Sequence, residues 1–129
     1  MKRKVDVYEK EPVITVEEEI EHIVDWIKHY FVRNGADSKA VIGISGGKDS
    51  TIAAALCVRA LGPEKVFGVL MPCGDQADIE DAYKVCEYLG IPNVEVNIGC
   101  TMDALTEAIP AKFFGERNNI HYTNAPARL

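Results

Sequence analysis

Two features that define whole classes of function are missing from this chain. Basic residues are in the minority, with 14 Lys and Arg against 20 Asp and Glu, so the net charge is −6. A general nucleic-acid surface is basic, so nucleic acid is not expected as a partner. No apolar stretch approaches the roughly 20 residues of a membrane span, so no membrane segment is expected. Small anionic ligands remain possible, because a single loop can be electropositive in an acidic protein.

Cysteine and histidine do not occur at spacings typical of a metal site or a redox motif. The four cysteines are Cys57, Cys73, Cys86 and Cys100, and no two of them form a CxxC pair. No histidine stands at zinc-finger spacing to them. We therefore expect free thiols and a cytoplasmic location, where the environment is reducing. The basic start MKRK is not followed by an apolar run, so it does not predict a secretory signal.

The length of 129 residues predicts one domain, residues 1–129, with residues 1–14 as a tail. Thr15 and Glu18 have the spacing of a capping box that starts a helix, and Asn34-Gly35 is typical of its end. Apolar runs predict strands at 40–44, 65–71 and 94–98. Further helices are predicted over 50–61, up to Gly90, and from a cap at Thr101 to Pro110.

This alternation of strands and helices predicts the α/β class, with a parallel sheet and right-handed crossovers. The first strand is apolar without alternation, which is typical of a central strand covered on both faces. In the last helix, Met102, Leu105 and Ile109 are expected to face inward. Residues 111–123 show no periodicity and are expected to form a loop.

The segment GISGGKDS, Gly43 to Ser50, joins the first strand to the next helix and is typical of an anion-binding turn. The nucleoside-triphosphate P-loop has four residues between its first glycine and its GK pair, whereas three separate Gly43 from Gly47. The dinucleotide fingerprint GxGxxG also fails, because Ser45 stands at its second glycine. What remains is a small-residue turn that presents backbone N–H groups and a helix N-terminus to an anion such as pyrophosphate.

Asp49 lies inside this turn, where it would repel a phosphate unless a cation stood between them. Mg²⁺ is the natural cation, because it is held by one or two carboxylates together with phosphate oxygens. Asp49 is therefore a predicted metal ligand, and the hydroxyls of Ser45 and Ser50 are expected to donate to the anion. Lys48 either contacts phosphate or points into solvent. The alternative is a plain tight turn in which Asp49 or Ser50 only caps the helix.

The motif SGGKDS resembles the signature of the N-type ATP pyrophosphatases, which cleave ATP to AMP and pyrophosphate. Together with GISGGKDSTIAAAL, the segments VLMPCGDQADIEDA and NAPARL make the chain look most like the ammonia-dependent NAD synthetases. The resemblance implies an adenine nucleotide alpha hydrolase-like fold, with three layers and a parallel sheet flanked by helices. It also implies amidation of deamido-NAD (nicotinic acid adenine dinucleotide). In that reaction ATP activates the carboxylate as an acyl-adenylate, pyrophosphate leaves, and ammonia then gives NAD and AMP.

The same resemblance assigns roles to individual residues. Asp49 and Ser45 would be catalytic, with Asp49 as the Mg²⁺ ligand. Arg128 matches an arginine that contacts deamido-NAD in the family. The implied ATP-binding residues are Gly43, Ile44, Ser45, Gly46, Gly47, Lys48, Asp49 and Ser50, with Leu70 and Met71 beside the adenine. An ordinary core role is the alternative for Leu70 and Met71, and Tyr30 and Phe31 could either reach the pyridine ring or pack in the core.

Chains of that family are longer than this one, and further strands, a second magnesium carboxylate and more substrate contacts fall beyond Leu129. We therefore expect an N-terminal portion, truncated to the three predicted strands, that carries only the ATP-binding half of the active site. A first strand with a bare edge favours pairing between copies, and a homodimer is expected. Two alternatives remain. One is another N-type ATP pyrophosphatase, tRNA-modifying or GMP synthetase-like, and the other is a non-catalytic module that binds nucleotide or only dimerises.

Overall fold

A computed structural model describes residues 14–77 and 79–109. Helices and strands alternate through these residues after a first helix. Their bounds are α1 Val16–Asn34, β1 Ala40–Gly43, α2 Lys48–Leu61, β2 Val66–Leu70, α3 Ile79–Leu89, β3 Asn93–Glu95 and α4 Gly99–Ala108, with a short 3-10 turn at Pro63–Lys65. The expected loop 111–123, Arg128 and all of the expected tail except Ile14 lie outside the described residues.

The two ends of α1 are set by the residues that the sequence indicated. Thr15 Oγ1 accepts a hydrogen bond from the Glu18 N–H at 3.2 Å, and Glu18 Oε2 accepts one from the Thr15 N–H at 2.9 Å. The hydrogen bonds from Thr15 hold the pKa of Glu18 below its ordinary value, because they favour the charged carboxylate. At the other end, the Gly35 N–H donates to the Phe31 carbonyl at 2.9 Å. The predicted capping box and helix end are both confirmed.

The three strands form one parallel sheet in the order β1-β2-β3, which confirms the α/β class. Ala40 lies opposite Val66, so β1 and β2 start level with one another. Both crossovers step across the sheet in the same direction, so the right-handed rule places α2 and α3 on one face. The core lies between these helices and the sheet, where Ala54 of α2 and Cys86 of α3 are fully buried. α1 packs in turn against α2.

The opposite face of the sheet is open in the described part of the chain. Val41 of β1 is 68% exposed and Val94 of β3 is 42% exposed. The expectation that the first strand is covered on both faces is therefore wrong for these residues. β1 is an edge strand, and only its other face packs against a helix.

Several element boundaries differ from the sequence expectation. α2 begins at Lys48 rather than Ser50, because Gly47 already has the extended backbone of an N-cap, with φ −78° and ψ 162°. β2 ends at Leu70 and β3 at Glu95, earlier than expected. The Val96 N–H still donates to the Leu70 carbonyl at 2.8 Å, but Pro72 has no N–H to donate back. The regular pattern therefore ends at this proline, although its carbonyl still accepts from the Ile98 N–H at 2.8 Å.

A further difference is the start of α4, which is at Gly99 and not at a Thr101 cap. The N-cap position is Ile98, and the side chain of Asn97, one residue earlier, accepts a hydrogen bond from the Gly99 N–H at 2.9 Å. Leu105 and Ile109 are exposed and only Met102 is half-buried, so the expected inward face is wrong for the first two.

Candidate functional site

The segment Gly43 to Ser50 lies at the carboxyl end of β1, where parallel α/β sheets bind their ligands. Ile44 is 3% exposed and belongs to the core. Its N–H donates to the Val69 carbonyl of β2 at 2.9 Å, which anchors the segment one residue after the strand ends. The chain then leaves the sheet as the turn Ser45-Gly46-Gly47 and enters α2 directly. A rigid strand and a helix N-terminus therefore fix this turn from both sides.

Gly46 is the point where the turn packs most closely against the rest of the protein. Its φ is +78°, in the left-handed region that favours glycine. A Cβ on this residue would lie 3.0 Å from the backbone nitrogen of Ala82 and 3.1 Å from the Cβ of Asp81. The turn thus rests on the first turns of α3, and both the backbone angle and the packing require a glycine.

The hydroxyls of Ser45 and Ser50 hold the turn together. Their oxygens lie 3.0 Å apart, and the Gly47 N–H donates to Ser45 Oγ at 3.2 Å. Ser50 Oγ in turn donates to the Gly47 carbonyl at 3.2 Å. Each hydroxyl has one hydrogen, so Ser45 is the donor between the two hydroxyls whenever Ser50 donates to the Gly47 carbonyl. Donation from these hydroxyls to an anion stays a prediction, and it requires the network to rearrange.

The N-terminus of α2 faces the same side as the turn. Its N-cap, Gly47, has no side chain to satisfy the first N–H groups, and no side-chain cap is present there. Uncapped N–H groups and the helix dipole favour a bound anion. Lys48 and Asp49 are both exposed in this first turn. The alternative in which Asp49 or Ser50 caps the helix does not hold, because both residues lie inside it.

Asp49 is available as a metal ligand. Its carboxylate makes no hydrogen bond or ion pair with the other described residues, and it stands beside the N–H groups that would hold a phosphate. Across residues 14–77 and 79–109, three or more acidic, Cys or His side chains never come together as a metal site. One carboxylate fits Mg²⁺ only if a bound phosphate and water supply the other oxygens.

The two residues expected beside an adenine differ in placement. Leu70 is 1% exposed and lies in the core, while Met71 is 51% exposed and follows β2. A Cβ on Gly43 would lie 3.2 Å from the Met71 Cε, so the Met71 side chain borders the start of the turn. The structure therefore brings Met71 to the turn and leaves Leu70 in the core.

A cleft of about 370 Å³ lies at the carboxyl ends of β2 and β3, and the sequence analysis missed it. Its polar lining comes from Asp75, Gln76, Glu95 and Asn97. The Tyr83 hydroxyl donates to Glu95, and this hydrogen bond raises the pKa of Tyr83. The available signal was the polar pair Asp75-Gln76 just after one predicted strand, with Asn97 near the end of the next.

Comparison with known proteins gives one consistent family. The family model described as NAD synthase matches residues 19–129. The chain is 46% identical over 77 residues to the NH(3)-dependent NAD(+) synthetase of Pyrococcus horikoshii, an alignment that covers 60% of this chain and 30% of that protein.

Solved structures show the same fold. The NH3-dependent NAD synthetase from Campylobacter jejuni, in complex with the nitrate ion, matches with a TM-score of 0.70 and 30% identity over 89% of this chain and 48% of that one. The glutamine-dependent NAD+ synthetase from Acinetobacter baumannii, in complex with adenosine diphosphate, matches with a TM-score of 0.76 and 28% identity over 95% of this chain and 23% of that one. The chain thus spans less than half the length of each of these proteins. The expected parallel sheet packed against helices is confirmed, with α2 and α3 on one face of it in the described residues.

Proposed function

The chain belongs to the NAD synthase family, and on that premise we propose that it carries the ATP-binding half of an active site that amidates deamido-NAD to NAD. The observation that carries this proposal is the turn Ser45 to Gly47 between β1 and the uncapped N-terminus of α2. ATP, deamido-NAD and ammonia are the proposed substrates, and AMP, pyrophosphate and NAD are the products.

In this reaction the carboxylate of deamido-NAD attacks the α phosphorus of ATP, and pyrophosphate leaves. The first N–H groups of α2 and the helix dipole stabilise the negative charge that grows on the leaving group. The turn that Gly46 allows brings these N–H groups close to the anion. Ammonia then attacks the acyl-adenylate to form the amide and release AMP. The chain contributes position and electrostatics, and no covalent protein intermediate is required.

Mg²⁺ is the proposed cofactor, with Asp49 as its ligand from this chain. When bound, it would neutralise phosphate charge and polarise the bond that breaks. Asp49 suits this role because its carboxylate is exposed at the turn and is not engaged by the other described residues. A site formed by one carboxylate and phosphate oxygens predicts that metal and nucleotide bind together.

Arg128, as a contact to deamido-NAD, is part of the proposal, as are a homodimeric state and a cytoplasmic location. An arginine is suited to a substrate carboxylate or phosphate because it donates two parallel hydrogen bonds. Across residues 14–77 and 79–109, each helix is too short or too polar to cross a bilayer.

The test is a turnover assay that separates AMP, ADP and NAD by chromatography. The chain is assayed alone and joined to the C-terminal part of the Pyrococcus horikoshii relative. We expect the joined protein to form AMP and NAD in equal amounts, and the chain alone to bind ATP without turnover. Cleavage of ATP to ADP and phosphate by the joined protein would contradict the proposed reaction. Binding of ATP with no NAD formed from deamido-NAD would favour the non-catalytic alternative.

A further inference from the structure

The side chain of Asn97 joins two segments that are far apart in the sequence. Its Nδ2 donates to the Gly74 carbonyl at 3.1 Å, and its Oδ1 accepts from the Gly74 N–H at 3.1 Å. One amide side chain thus satisfies both backbone polar groups of one residue, as a neighbouring strand would. Two such bonds fix the orientation of the Gly74 peptide groups as well as their position.

Asn97 also contacts the first residue of α4. Its Oδ1 accepts from the Gly99 N–H at 2.9 Å, so one oxygen serves two donors. A Cβ on Gly99 would lie 3.0 Å from Asn97 Oδ1 and 3.0 Å from the Gly74 nitrogen. The three residues Gly74, Asn97 and Gly99, which we call the Asn97 clasp, therefore pack without room for another side chain.

The clasp is the main support of the loop between β2 and α3. Apart from the bond at 3.4 Å from the Ile79 N–H of α3 to the Gln76 carbonyl, only the two to Asn97 join residues 73–77 to other described residues by hydrogen bonds. Gly74 has a φ of +73°, so the backbone turns sharply at the residue that Asn97 holds. The next two residues are Asp75 and Gln76, which line the cleft beside β2 and β3.

We propose that Asn97 is a positioning residue that acts through Gly74 to hold the loop 73–77 in the shape that nucleotide binding requires. The proposal rests on the proposed function, because it concerns the same ATP site. The clasp lies at the ends of β2 and β3, while the pyrophosphate turn lies at the end of β1. Loss of the clasp should therefore weaken the binding of the part of ATP beyond its terminal phosphates. It should leave the pyrophosphate turn intact.

The experiment is calorimetry of the 129-residue chain with two probes, ATP and inorganic pyrophosphate, each with Mg²⁺. Asn97→Ala removes all three hydrogen bonds. Asn97→Asp keeps the two accepted bonds and replaces the donor to the Gly74 carbonyl with a carboxylate oxygen. Asn93→Ala is the matched control, because Asn93 is an asparagine at the start of β3 whose side chain makes no hydrogen bond with the described residues.

We expect Asn97→Ala to weaken ATP binding by about tenfold, which corresponds to the loss of one or two net hydrogen bonds. Pyrophosphate binding should change by less than about twofold, since its turn does not contact Asn97. The ATP affinity of Asn97→Asp should fall between those of wild type and Asn97→Ala. The ATP affinity of Asn93→Ala should match that of wild type. Gly99→Ala, which crowds the clasp without removing Asn97, should weaken ATP binding in the same selective way.

Equal weakening of both probes by Asn97→Ala would show general damage to the fold and overturn the positioning role. Unchanged ATP binding by Asn97→Ala would overturn it as well, while leaving the proposed function intact. A wild-type chain that binds pyrophosphate but not ATP, or neither, would overturn both the proposed ATP site and the role of Asn97.

Discussion

Ser45 Oγ and Ser50 Oγ lie 3.0 Å apart, so the hydroxyls expected to face a phosphate bond to one another instead. This contact couples the last turn residues after β1 to the first turn of α2. A bound anion gains these donors only if the shared hydrogen bond is given up. The resulting cost sets how much each serine contributes to ATP binding.

Ser45→Ala and Ser50→Ala should each weaken binding of ATP with Mg²⁺ by about tenfold, because each removes one donor to a charged group. In the double variant the loss of binding free energy should be smaller than the sum of the two single losses. The two residues share one hydrogen bond, and contacting residues couple by about 0.5–3 kcal/mol. Calorimetry on the four proteins measures this, with Ser38→Ala as a surface control. Strict additivity would contradict the network.

Gly46→Ala should destabilise the fold by at least about 1 kcal/mol more than Gly90→Ala, because overpacking adds to the backbone cost. Both residues have a positive φ, +78° and +65°. A Cβ at Gly46 would lie 3.0 Å from the Ala82 nitrogen, whereas one at Gly90 meets no heavy atom within 4 Å. Urea unfolding of the two variants isolates the packing cost. Equal losses would mean that the turn does not rest on α3 in solution.

Thr15→Ala should lower the free energy of unfolding by about 1 kcal/mol at neutral pH, because it removes the N-cap of α1. The loss should depend on pH, because hydrogen bonds from Thr15 lower the pKa of Glu18 from its ordinary 4.5. A carboxylate with a lowered folded pKa stabilises the fold above its unfolded pKa and loses that effect as the pH falls through the folded value.

The measurement for α1 is urea unfolding at pH 7 and pH 3, with Thr15→Ser as the control that keeps the hydroxyl. The difference between wild type and Thr15→Ala should shrink at pH 3. A difference that is the same at both pH values would show that Glu18 is not part of the capping interaction.

The four cysteines should fall into two classes of reactivity toward a disulfide reagent. Cys73 and Cys100 are exposed, while Cys57 is half-buried and Cys86 is buried. Burial raises the pKa of Cys57 and Cys86, so less of each thiol is in the reactive thiolate form at a given pH. At pH 8 two thiols should react quickly, and peptide mapping should identify Cys73 and Cys100. Four equal rates would contradict the packing of α2 and α3.

Local features of the sequence predicted the parts of the fold that short-range chemistry controls. The capping box of Thr15 and Glu18 joins residues three positions apart, so the sequence shows it directly. The anion-binding turn is similar, because Ser45 to Ser50 form one continuous segment between a strand and a helix.

The features that the sequence analysis missed depend on contacts between distant segments. Asn97 accepts from the N–H of Gly99, the first residue of α4, and also binds Gly74, a residue 23 positions earlier. The ends of β2 and β3 depend on Pro72, which lacks the N–H that the neighbouring strand needs. The cleft combines residues that follow two different strands, and no single segment contains it.

Calorimetry of Asp49→Asn tests the central claim, that the turn binds ATP through a magnesium ion held by Asp49. Wild type and Asp49→Asn are titrated with ATP in the presence and absence of Mg²⁺, and Asp37→Asn, an exposed carboxylate outside the turn, is the control. We predict that Mg²⁺ increases the ATP affinity of wild type and of Asp37→Asn. In Asp49→Asn the factor by which Mg²⁺ increases ATP affinity should be at least about tenfold smaller, because an amide is a weaker ligand for a hard cation than a carboxylate. An Asp49→Asn variant that binds ATP with Mg²⁺ as tightly as wild type would contradict the claim.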